Sequence, residues 1–139
     1  MKKLLTMLAA LALCAGMLAG CVGLGGYGGV LKANWGLELP KAKQVYEADS
    51  GASFQGDGWR YHVFVCDAAG LAAWQAPVGE SLREKGMEWL DQIAVPAEQR
   101  PDWEKCAFCL RTDPEDSRDQ LLLLWDAEAG QLYVLEQFM

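Results

Sequence analysis

Cys106-Ala107-Phe108-Cys109 has the spacing of a dithiol redox couple or of half a zinc site. A redox pair sits at a helix N-terminus, which lowers a thiol pKa and brings the two sulfurs together. The residues around this pair favour a strand instead. Residues three apart along a strand are about 10 Å apart and point to opposite faces. A disulfide needs Cα atoms within roughly 7 Å, so a strand keeps these two thiols from each other. Zinc would need two further ligands, for which Cys66 and His62 stand on one face of another strand. The pattern predicts neither a metal nor a cofactor.

Other constellations are weaker. His62 is the only histidine. Gly79-Glu80-Ser81-Leu82-Arg83 begins like a nucleophile elbow, but Arg83 stands where the last glycine belongs. A His62–Ser81 catalytic pair is therefore not expected. Asp49 and Asp57 lie among glycines and could hold a cation, yet their spacing misses the calcium-loop pattern. Turn chemistry accounts for both, because Asp and Gly favour tight turns. The 19 acids contain no pair that stands out for glycoside hydrolysis. Six tryptophans, at 35, 59, 74, 89, 103 and 125, could form a stacking platform. Trp59 and Trp125 are expected in the core, with Trp35, Trp74 and Trp103 near element ends and open to solvent.

The N-terminus carries the most specific signal. Lys2 and Lys3 precede an uncharged apolar run from Leu4 to Met17. As a helix this run would span about 21 Å, short of the ~30 Å hydrocarbon core. A positive start, a short apolar centre and small residues afterwards make a signal peptide. Leu18-Ala19-Gly20-Cys21 resembles the lipobox of bacterial lipoproteins at all four positions. That resemblance implies cleavage between Gly20 and Cys21 and a lipid on the Cys21 thiol. It places the mature chain on the cell membrane, lipid-anchored at the extracytoplasmic face.

With Cys21 acylated, Cys66, Cys106 and Cys109 remain. An oxidising exterior permits Cys66 to pair with Cys106 if their strands are neighbours, and otherwise leaves buried free thiols. The 12 basic residues fall to 10 when residues 1–20 are removed, against 19 acids, a net charge of about −9. Anionic bilayer surfaces repel such a domain. Nucleic acid is excluded as a partner, because phosphate binding needs a basic face.

Three segments follow: residues 1–20 as leader, 21–30 as lipidated Cys and glycine-rich tether, and 31–139 as one domain. The glycines at 23, 25, 26, 28 and 29 read as flexible coil. No strand precedes them and no Lys-Ser/Thr follows, which excludes a phosphate loop. Gln44–Ala48 and Trp59–Asp67 read as a hairpin with a wide loop. In the second of these, Trp59, Tyr61, Val63 and Val65 alternate with Arg60, His62, Phe64 and Cys66. Asp67 could cap a short helix over Ala69–Gln75. A longer helix starts at a Ser81–Glu84 capping box, with Leu82, Met87, Leu90 and Ile93 or Ala94 as its apolar stripe. Gly86 weakens it by up to ~1 kcal/mol against Ala.

Glu104–Leu110, Leu121–Trp125 and Gln131–Phe138 complete the strands. Cys106, Phe108 and Leu110 point inward on the first of these. Gly130 takes a positive φ in the last hairpin. The fold class is α+β: a small antiparallel sheet of about five strands, β-β-α-β-β-β, with one or two helices on one face.

Ser53-Phe54-Gln55-Gly56-Asp57-Gly58 and the strand after it resemble a group of small exported bacterial proteins. Those carry a Gly-Phe-x-Gly-Asp-Gly element before a strand and often end in a Tyr-containing hairpin, here Leu132-Tyr133-Val134. Ser53 departs from the first glycine. The resemblance spans about half the domain and implies a fold, with no activity attached.

The function expected from these readings is a lipid-anchored binding or interaction module, its partner an unknown protein or small ligand. The alternatives are a thiol-dependent redox protein or enzyme using Cys106 and Cys109, and a structural envelope lipoprotein.

Overall fold

The computed structural model describes residues 26–51 and 56–139. The leader, Gly20, Cys21 and the Ser53–Gln55 part of the exported-protein motif lie outside the described residues. Two compact units divide the chain, Met1–Glu38 and Leu39–Met139.

In the first unit, helix α1 runs over Tyr27–Trp35. The expected coil of residues 22–30 therefore does not hold from Tyr27 onward. Gly28 and Gly29 cost the helix up to about 1 kcal/mol each against Ala. Its far end, however, is closed by Gly36 at φ 63°, whose N–H reaches the Lys32 carbonyl at 3.0 Å. Glycine takes that left-handed position without a Cβ penalty, which makes Gly36 the stop signal of α1.

The second unit is one open antiparallel sheet of five strands with a helix on one face. The strands are β1 (Lys43–Asp49), β2 (Gly58–Val65), β3 (Ala107–Thr112), β4 (Gln120–Asp126) and β5 (Gln131–Phe138). Their spatial order is β1-β2-β5-β4-β3, so the last strand lies in the middle. β1 and β2 form the expected hairpin, with a register shift at Val45. β4 is buried over Leu121–Asp126, as its apolar run requires of a strand covered on both faces.

Helix α2 spans Glu80–Ile93 and begins one residue before the expected cap. Gly79 is the N-cap and no side chain caps the end. Ser81 already lies inside the first turn, and the Arg83 N–H bonds the Gly79 carbonyl at 3.0 Å. The buried stripe is Gly86, Trp89, Leu90 and Ile93, with Leu82 partly buried and Met87 exposed. Ala94 ends the helix at φ 61°, where its N–H and that of Val95 bond the Asp91 and Leu90 carbonyls at 3.0 Å.

Three further expectations need correction. Residues 69–75 are not helical: 69–71 form a turn and the chain then runs on to a bridge at Gln75. Asp67 Oδ1 accepts the Ala69 N–H at 3.1 Å, an Asx turn that competes with helix capping. Gln75 then bridges to Phe108, its N–H and carbonyl bonding that residue at 3.0 and 2.8 Å. β3 starts later than expected, because the Lys105 N–H bonds the Asp102 carbonyl in a turn at 3.1 Å. Leu110, expected inside, is 38% exposed on this edge strand.

The two faces of the sheet bury different sets. Toward α2 lie Tyr61, Val63, Leu122, Leu124, Tyr133 and Leu135, packed with Trp89, Leu90, Ile93, Trp103 and Cys106. Strand alternation sends Phe64, Leu121, Leu123, Leu132 and Val134, all buried, to the opposite face.

Candidate functional site

Among the described residues, the buried polar or charged side chains are His62, Asp126 and Glu136. Asp126 Oδ1 accepts the Ala129 N–H at 3.0 Å and shapes the β4–β5 turn. Beside it, Lys105, Asp126, Glu128 and Ala129 line an open depression of about 230 Å³. His62 and Glu136 belong together. Both lie on the sheet face away from α2, one row apart.

The register builds this cluster. Arg60 of β2 stands opposite Glu136 of β5 and Asp49 of β1. His62 stands opposite Val134 and Glu47. Arg60 Nη1 donates to Glu136 Oε2 at 3.4 Å, and its guanidinium lies 4.2 Å from the centroid of the Phe138 ring. A buried carboxylate requires such a partner, since leaving it unpaired would cost several kcal/mol.

His62 Nδ1 is 2.8 Å from Gln44 Oε1, while Gln44 Nε2 donates to Glu47 Oε2 at 3.1 Å. With the amide oxygen turned to the ring, Nδ1 carries the proton. Burial holds the His62 pKa down at about 4, against the upward pull of Glu47 and Glu136 and with a small downward push from Arg60. At neutral pH the ring is therefore an uncharged donor and a weak base. It stacks on Phe64 with centroids 6.2 Å apart.

The chemistry weighed from sequence is not assembled here. Ser81 is exposed on α2, and the sheet separates that helix from His62. Cys106 points into the α2-side core, whereas Cys109 pairs with Leu123 on the other face of the sheet. Burial, with Asp126 and Asp102 nearby, pushes the Cys106 thiol up to about 12. Burial and Asp67 raise the Cys66 thiol as well.

Of the two alternatives for the thiols, the structure has the free form at Cys66, Cys106 and Cys109. β5 and β4 lie between the strands that end at Cys66 and begin after Cys106. Three interstrand steps make about 14 Å, twice the reach of a disulfide.

Asp49 Oδ1 accepts the Gly51 N–H at 2.8 Å, the turn role expected of it. Among the described residues no group of three His, Cys, Asp or Glu side chains could hold a metal ion.

The tryptophans split differently from expectation. Trp125 is buried and stacks with half-buried Trp74 at 6.5 Å, and the Trp74 Nε1–H donates to the Ala68 carbonyl at 2.9 Å. Trp59 and Trp35 are half-buried. Trp103, expected near the surface, is buried in the α2-side cluster. Its ring fills the gap left by Gly86, where a Cβ would come within 3.1 Å of Trp103 Cζ3 and 3.3 Å of Leu122 Cδ2. A glycine inside an otherwise regular helical pattern was the available signal for that contact.

The Arg60–Glu136 pair could not be read locally, since its members lie 76 residues apart. A lone acid following Leu132–Leu135 in β5 was the clue that a buried charge needed a partner.

No described helix is long and apolar enough to cross a membrane. Comparison with protein-family models, curated proteins and solved structures finds no match to this chain.

Proposed function

We propose that this chain is a lipid-anchored binding or interaction module held at the extracytoplasmic face of a bacterial cell membrane. The reading rests on one observation, Leu18-Ala19-Gly20-Cys21 directly after an uncharged apolar run. Binding is favoured over thiol chemistry because the Cys106 thiol is protonated at neutral pH and faces away from Cys109. A neutral thiol is a poor nucleophile and a poor metal ligand. The group of exported proteins with a related Gly-Asp-Gly turn fits the same location.

The test is membrane fractionation and intact mass of the native chain beside Cys21→Ala. The native chain should sediment with membranes, start at Cys21 and carry lipid mass, and the variant should lack that mass. Two soluble, lipid-free chains would remove the anchor and the localisation with it. Turnover of a substrate by the isolated chain would overturn the binding role while leaving the anchor intact.

A further inference from the structure

We draw no further inference here: the strongest candidate, the apolar sheet face opposite α2 built on Phe64, Leu121, Leu123, Leu132 and Val134, carries none because nothing in the described residues shows what covers it.

Discussion

The two faces of the sheet are both buried, yet they are built by different rules. The α2 side is apolar and aromatic, and its tyrosine hydroxyls are bonded at their tips: Tyr61 Oη donates to the Gln99 carbonyl at 2.5 Å, and Tyr133 Oη to Gln131 Oε1 at 2.6 Å. The opposite side mixes leucines with His62, Glu136 and Arg60. On the first face, stability comes from shape and area. On the second it also depends on a charge state, so His62 should make that face sensitive to pH between about 6.5 and 4.

The largest effects should come from leucine truncation. Leu122→Ala and Leu124→Ala on the α2 side, and Leu121→Ala and Leu123→Ala on the other, should each cost about 2–5 kcal/mol in denaturant unfolding of the full chain. All four side chains are fully buried. If the second pair cost under about 1 kcal/mol, the opposite face would not be packed in solution, and the comparison would fail.

His62 sharpens the contrast next. Its folded pKa of about 4 lies below the ordinary 6.5. Between those values the unfolded chain binds more protons, so stability falls as pH drops from about 6.5 to 4. The contribution is at most roughly 3 kcal/mol. Carboxylates also titrate near the lower end, so the readout is the difference between the native chain and His62→Gln. The variant should lose less stability across that window. Equal pH slopes for the two proteins would show that the ring is not buried neutral.

Gly86→Ala tests the tightness of the α2 side. Helix propensity alone predicts a gain of up to about 1 kcal/mol. The added methyl group, however, meets the Trp103 ring, and overpacking costs about 1–3 kcal/mol. A net loss should appear, together with a change in tryptophan emission. A more stable variant would mean that the ring moves aside freely.

The smallest effect is kinetic and leaves the fold alone. Half-buried Cys109 should react with a maleimide at pH 7.5 before buried Cys106, by mass mapping. Faster labelling of Cys106 would contradict the burial that holds its thiol up near 12.

Much of this architecture was legible in local pattern. β2 announced itself by strict alternation, β4 by an unbroken apolar run, and the last hairpin by Gly130 at φ 64°. Local reading failed where a side chain had two uses. Asp67 could cap a helix or close an Asx turn, and the bridge from Gln75 to Phe108 fits the second. Ser81 had the form of a cap, but Gly79 took that place. The polar cluster was illegible for a different reason. His62, Glu136 and Arg60 meet only because β5 inserts beside β2, and no rule of spacing contains that adjacency. The choice between a Cys66–Cys106 pair and free thiols turned on the same point, since strand order decides which cysteines are neighbours.

That strand order also bears on when the sheet can form. Until β5 is available, the β1–β2 hairpin and the β3–β4 hairpin have no strand between them and cannot share one sheet. β5 is thus the keystone, and a chain lacking it holds only two separate ribbons, each marginal by itself. Because β5 must meet both β2, across a long stretch of chain, and β4, its local neighbour, closure of the whole sheet is slower than formation of either hairpin.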